Sequence, residues 1–247
     1  MAPSLAQRVK REYYRPTLYA VSPTLVPAPL DTPQWGFTTG FLASTDVVTE
    51  GDSFRPTREL ASFVGDMGSP FSVVAFGDMR PPYLEDLLTA AIEIFQERKC
   101  RVLVVSPHDS ILADIERNFR EVSMNWLLYR CGGCILHAGQ VENIIPALGT
   151  GVPSIVVPMM PWSDQSTWAS IIRRSNVGAS LGGVVCVCGH SRPPQVGAKL
   201  NSRNQLRALI AQCLLDTDLR TTTSKTGARL RAERGAALSA KVVESCL

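Results

Sequence analysis

Four short apolar runs punctuate this 247-residue chain: FSVVAF (71–76), RVLVVS (101–106), GCILH (133–137) and PSIVVP (153–158). None of them alternates apolar with polar residues. A strand with one wet face shows a period of two, so unalternating runs this short belong to strands covered on both faces. The segments between them carry a helical period instead. Residues 83–98 place Leu84, Leu87, Leu88, Ala91, Ile92 and Phe95 on one helix face. Further helices are predicted at 57–65, more weakly around 110–119, from Asp164 to Ser175, and as two closing helices at 202–215 and 218–245. Strands that alternate with helices require a parallel sheet with right-handed crossovers, so the fold class is α/β, a Rossmann-like doubly wound sheet.

Residues 1–50 read differently. The stretch RPTLYAVSPTLVPAPLDTPQWGFTTGF contains five prolines and no helical period, which predicts extended chain or linker after a short basic helix at about 4–14. The expected organisation is therefore a segment 1–50 followed by a domain 51–247. A hydrophobic content of 45% with 19% charged residues suits a soluble globular core. The formal charge of +3 is too small for a nucleic-acid footprint, and the basic residues Arg8, Lys10, Arg11 and Arg15 suit a solvated helix face. No apolar run approaches the ~18 residues of a membrane span, and the first residues lack the apolar core of a signal peptide. The expected setting is reducing and cytoplasmic, with attachment to a membrane surface left open. Seven cysteines, an odd number, suit free thiols.

In an open parallel sheet ligands sit beyond the carboxyl ends of the strands. The four runs deliver Gly77-Asp78-Met79, Ser106-Pro107-His108-Asp109, His137-Ala138-Gly139, and Pro158 through Asp164-Gln165 to that rim. The helix after His137 is expected to carry Pro146 in its first turn, where a missing N–H costs nothing, which puts the N-cap near Glu142 or Asn143. The N–H groups of 143–145 would then face the rim. Such a helix start is either a phosphate site or a plain capped helix, and spacing alone leaves both open.

The order His137-Ala138-Gly139, Gly151-Val152-Pro153, Val157-Pro158, Asp164-Gln165 and Trp168 resembles the carboxyl-terminal, donor-binding half of UDP-glycosyltransferases of the GT-B fold. Within that family the chain resembles the sterol 3-beta-glucosyltransferases. FSVVAFGDM (71–79), MNWLLYRC (124–131) and LYAVSPTLVPAP (18–29) are similar to other stretches of that family, so the likeness runs from about residue 16 to the end. The resemblance implies a UDP-sugar donor and inverting transfer of a hexose, glucose, to a sterol or lipid hydroxyl. No cofactor is implied beyond the donor substrate. His137, Ala138, Gly139 and Asn143 would hold the diphosphate, with Gly77 and Asp78 on the facing loop. Asp164 and Gln165 would hold the sugar, and Trp126 would lie near the uracil. The acceptor site and general base would belong to an amino-terminal domain, of which residues 1–50 would be the end, so a separate acceptor-binding domain is an expected partner. His108 and His190 are the alternatives for a base, though both suit ordinary surface histidines.

Some positions depart from the family pattern. Gln-Val-Glu-Asn (140–143) stands where small residues and a threonine are expected, and Asp78 and Met124 replace a serine and a histidine. Two extra residues lie within MMPWS (159–163). A carboxylate on Glu142 at ~5 Å from a phosphate would repel it by about 3 kcal/mol at an effective dielectric of about 20. These departures raise a rival class, a non-catalytic glycosyltransferase-like module that binds a nucleotide or another protein. Zinc is a third class. Its candidate ligands are CGGC (131–134) and CVCGH (186–190), but zinc ribbons separate their halves by about 15–20 residues, far fewer than here. No helix start follows Cys131 to lower a thiol pKa, which argues against a catalytic C-x-x-C.

Overall fold

The computed structural model describes residues 17–32, 35–42, 54–65, 70–79, 83–107, 118–119, 122–160, 162–181 and 199–245. The predicted helix at 4–14, His108, Asp109 and the CVCGH segment with His190 lie outside these residues.

The four apolar runs form strands β3 (Phe71–Ala75), β4 (Arg101–Val105), β6 (Ile135–His137) and β7 (Ser154–Val156). Two further strands, β5 (Asn118–Phe119) and β8 (Gly178–Ser180), complete a six-stranded sheet. Every pair is parallel, and the order is β5-β4-β3-β6-β7-β8. Val73, Val74, Ile135, Leu136, Ile155 and Val156 are each fully buried, as strands covered on both faces must be.

One face carries α2 (Leu84–Glu97) and α6 (Lys199–Leu215). Leu84, Leu88, Ala91, Ile94, Phe95, Leu206 and Ile210 from these helices pack with Val74, Phe76 and Leu136. The other face carries α1 (Arg58–Gly65), α3 (Met124–Tyr129) and α4 (Val141–Thr150). Leu60, Phe63, Leu127, Leu128 and Ala147 pack there on Phe71, Val73, Ala75, Leu103 and Ile135. Helix α5 (Gln165–Arg174) links β7 to β8, close to its predicted span. The strand order reverses between β3 and β6, because the chain leaves β3 toward one face and β6 toward the other. In open parallel sheets such a reversal is where a crevice forms at the carboxyl rim.

Several expectations need correction. Of the helix predicted around 110–119, residues 118–119 instead form β5, and residues 110–117 lie outside the described residues. The last predicted helix is two, α7 (Thr217–Glu233) and α8 (Gly235–Glu244), separated by Arg234 in the left-handed region at φ 49°. An L-residue there cannot continue a right-handed helix. The segment read as extended chain pairs with itself, as β1 (Thr17–Tyr19) lies parallel to β2 (Gly36–Thr38).

The sequence draws one boundary at residue 50, whereas the chain divides into two compact units of different composition. One comprises Met1–Asp46 with Ala228–Leu247, and the other Val47–Gly227. Within the first, Ser22 donates its hydroxyl to Glu233 (2.6 Å) and the Thr24 N–H donates to the same carboxylate oxygen (3.2 Å). A Cβ on Gly235 would lie 2.3 Å from the Phe41 carbonyl, so the start of α8 sits directly on the backbone after β2.

Candidate functional site

The reversal point brings the ends of β3 and β6 side by side, with Ala75 paired to His137. His137 is the last residue of β6 and is fully buried. Its Nδ1 accepts a hydrogen bond from the Gly139 N–H at 3.0 Å, so the ring proton of the neutral form resides on Nε2. Nε2 is buried and has no partner among the described residues. Burial pushes the imidazole pKa down to about 3. A charged ring would lack solvation there, so at neutral pH the group is a neutral N–H donor.

Gly139 has φ +97°, and a Cβ on it would lie 2.9 Å from Val156 Cγ1 and 3.2 Å from the Gln165 carbonyl. The loop after β6 therefore lies against the first residue of α5, and the two strand tips singled out in the sequence meet through backbone. Ala138 is buried in the core beside them.

The N-cap of α4 is Gln140, two to three residues earlier than the proline rule predicts, and Pro146 lies inside the helix. Burial explains the override. Ile144, Ala147 and Leu148 are fully buried, and their helical spacing fixes the element despite the missing N–H. The N–H groups of Asn143 and Ile144 are spent on the Gln140 carbonyl at 3.0 and 3.1 Å. The donors ahead of the first intrahelical bond are thus those of Val141 and Glu142, not 143–145. Glu142 is exposed in the first turn, where a carboxylate complements the helix dipole.

Asn143 and Gln140 reach across the crevice. Asn143 donates its amide to the Ala75 carbonyl (3.2 Å) and to Gln140 Oε1 (3.3 Å), and Gln140 Nε2 donates to the Phe76 carbonyl at 2.9 Å. Gly77 (φ +57°) leaves room for that amide, as a Cβ there would lie 2.9 Å from Gln140 Nε2. Asp78 is exposed on the same turn.

Gln165 is buried, and its Oε1 accepts from the N–H groups of Met159 (2.8 Å) and Met160 (3.0 Å). Its oxygen holds the β7–α5 loop in shape, which is how a loop with two extra residues is accommodated. Asp164 is the exposed N-cap residue of α5, and its Oδ2 accepts from the Trp168 indole N–H at 3.1 Å. That bond fixes the carboxylate against the first turn of α5. Trp126 stands apart from this group, half-buried in α3 against Phe54 (5.4 Å between rings) and the Arg130 guanidinium (4.5 Å).

Sequence reasoning passed over Gln140 as a functional position. The available signal was a polar side chain directly after the glycine of a strand-end loop.

The four described cysteines gather at the amino-terminal ends of the strands, away from the rim. Ser72 Oγ lies 3.2 Å from Cys100 Sγ and 3.8 Å from Cys134 Sγ, and the Cys131 thiol donates to the Phe71 carbonyl at 3.1 Å. Burial raises all the thiol pKa values, to about 12 for Cys131 and Cys213. No group of three or more His, Cys, Asp or Glu side chains among the described residues is arranged for a metal. These thiols should resist iodoacetamide at pH 8 in the folded protein and react on unfolding, as peptide mass spectrometry would show. Rapid native labelling of Cys131 would contradict this placement.

A parallel sheet with helices on both faces and a strand order that reverses at its centre is a doubly wound α/β fold. The comparisons with known proteins agree. The chain is 26% identical over 231 residues to the O-mycaminosyltylonolide 6-deoxyallosyltransferase of Streptomyces fradiae, covering 93% of this chain and 49% of that enzyme. It is 28% identical over 189 residues to a sterol 3-beta-glucosyltransferase of Cryptococcus neoformans, covering 67% of this chain and 12% of that one. Among solved structures, the glycotransferase of kitacinnamycin superposes with a TM-score of 0.66 at 16% identity, over 94% of this chain and 55% of its own. Os79 from O. sativa, in complex with UDP and deoxynivalenol-3-glucoside, superposes with 0.68 at 13% identity, over 92% and 54%. No family model matches. The chain thus has the fold of GT-B glycosyltransferases and is similar to glycosyltransferases along most of its length. It spans about half the length of the first of these relatives and a far smaller share of the sterol enzyme.

Proposed function

We propose that this chain is the donor-binding half of a UDP-sugar glycosyltransferase. The buried His137 carries the reading, because its Nε2–H is an unpartnered donor in a sheet position where this fold binds nucleotides. In this reading Nε2 and the N–H groups of Val141 and Glu142 receive the diphosphate and stabilise the charge that grows on the departing UDP. Asp164 and the amide of Gln165 meet sugar hydroxyls, with Asp164 aimed by Trp168. Gly77 and Asp78 face the diphosphate from β3, and Trp126 lies toward the uracil. The reaction is inverting transfer of glucose to a sterol or other lipophilic hydroxyl, with the acceptor and general base held by an amino-terminal domain. The setting is cytoplasmic. Among the described residues no helix is long and apolar enough to cross a membrane.

Calorimetric titration with UDP and UDP-glucose, with thymidine diphosphate in parallel, tests the donor reading. Micromolar binding of UDP supports it, and no binding of any of the three overturns it. Asp164→Ala separates the two halves of the ligand. A hydrogen bond to a charged group contributes about 1.5–3 kcal/mol, so UDP-glucose should bind about ten- to a hundredfold more weakly while UDP is unaffected. Equal loss for UDP would place Asp164 at the phosphates instead.

A second reading has its own support. The oxygen of Gln165 is already committed to the loop, and Gln140 and Asn143 span the crevice, as in a glycosyltransferase-like module that does not turn over. Turnover of UDP-glucose in the presence of a separately supplied amino-terminal domain would eliminate it.

A further inference from the structure

Gln140 is the N-cap residue of α4, yet its side chain makes no capping bond. A polar side chain at this position ordinarily turns back onto the N–H groups of its own helix. Here it extends away from the helix and across the crevice. Nε2 donates to the Phe76 carbonyl at 2.9 Å, Oε1 accepts from Asn143 at 3.3 Å, and Asn143 in turn donates to the Ala75 carbonyl at 3.2 Å. The end of β3 is thereby tied to the start of α4 by three hydrogen bonds donated by side-chain amides.

The same bridge fills the close approach between the two loops. Nε2 lies 2.9 Å from where a Cβ on Gly77 would stand, so the space left by that glycine is occupied by Gln140. In the two residues that follow Gln140, the N–H groups of Val141 and Glu142 have neither an intrahelical partner nor a side-chain cap. The buried His137 Nε2 likewise has none among the described residues. Donors suited to an anion thus surround a side chain whose oxygen and one N–H are already used by the protein.

From this arrangement we propose that Gln140 is a latch that determines access to the donor site. A nucleoside diphosphate seats against α4 only after the Gln140 amide has left Phe76 and Asn143. The inference rests on the nucleotide reading of this crevice. The latch lowers apparent affinity, because binding must first break two hydrogen bonds that the free protein keeps. It also holds the Phe76–Met79 turn to α4 until the ligand arrives.

The test is Gln140→Ala in the full chain, with UDP as the probe. Breaking two neutral hydrogen bonds corresponds to about a tenfold effect or somewhat more, so the variant should bind UDP about ten- to thirtyfold more tightly than the parent by calorimetry. Without ligand, amide hydrogen exchange at 76–79 should be faster in the variant, while β3 and β6 remain protected, which also confirms folding. If the parent binds UDP and the variant binds equally or more weakly, the latch is wrong and the donor reading stands. If exchange at 76–79 is unchanged, Gln140 does not hold the turn and the latch is likewise overturned. If neither protein binds UDP while exchange responds as expected, the donor reading fails and the proposal fails with it.

Discussion

Gly139→Ala is expected to destabilise the protein by about 3 kcal/mol or more and, in the proposed donor reading, to abolish nucleotide binding. Two effects add. At φ +97° an L-residue is strained, which costs on the order of 1–3 kcal/mol. The new methyl would also stand 2.9 Å from Val156 Cγ1 and within 3.3 Å of two backbone atoms of Gln165. Val156 is a fully buried strand residue and the Gln165 backbone begins α5, so neither moves without shifting its element. Overpacking of this kind costs about 1–3 kcal/mol. Urea unfolding would read the loss, and UDP titration on the folded fraction would read the binding. A variant as stable as the parent would mean that the two strand tips are not in backbone contact.

The second large effect concerns His137. Burial holds the ring neutral down to about pH 3, whereas an exposed histidine titrates near ~6.5. Between those values the unfolded chain binds a proton that the folded chain does not. The group's contribution to stability is therefore intact above about pH 6.5 and is lost as the pH falls toward 3. The slope approaches about 1.4 kcal/mol per pH unit. His137→Phe should flatten this part of the stability–pH profile. In the proposed donor reading it should also weaken UDP about ten- to a hundredfold at pH 7, since a donor to a charged oxygen would be removed. His137→Gln, which keeps an N–H donor, should recover part of the binding. An unchanged acid slope in His137→Phe would contradict the neutral buried ring, and unchanged UDP affinity would remove His137 from the donor site.

Much of this was legible in the chain because burial on two faces leaves a direct mark. Unalternating runs such as FSVVAF, short and rich in β-branched residues, suit central strands, and the parallel sheet follows from the helices between them. The residues at their ends then fall on one rim, so His137, Gly139 and Gly77 could be named together. What escaped depended on choices that the sequence leaves degenerate. Proline prefers the first turn of a helix by a few kcal/mol, and the burial of Ile144, Ala147 and Leu148 outweighs that preference in α4. A glutamine looks the same whether its amide meets a sugar or, like Gln165, two loop N–H groups. Nothing local distinguishes Arg234, which ends one helix and caps the next. The paired β1 and β2 are three residues each, too short for a period to register.

The proline within α4 also divides that helix mechanically. Because Pro146 has no N–H, the carbonyl of Glu142 lacks the bond that would join the first turn to the second. The remainder is anchored by buried side chains and by Gly151, whose left-handed backbone (φ 78°) closes the far end. Cooperativity along the helix is interrupted at this point. The exposed start of the helix can therefore adjust its pitch with one fewer bond to break than in an uninterrupted helix, while Ile144 holds the end of that turn to the core. A helix packed firmly along most of its length thus carries, at its rim end, a single turn with its own softer spring constant.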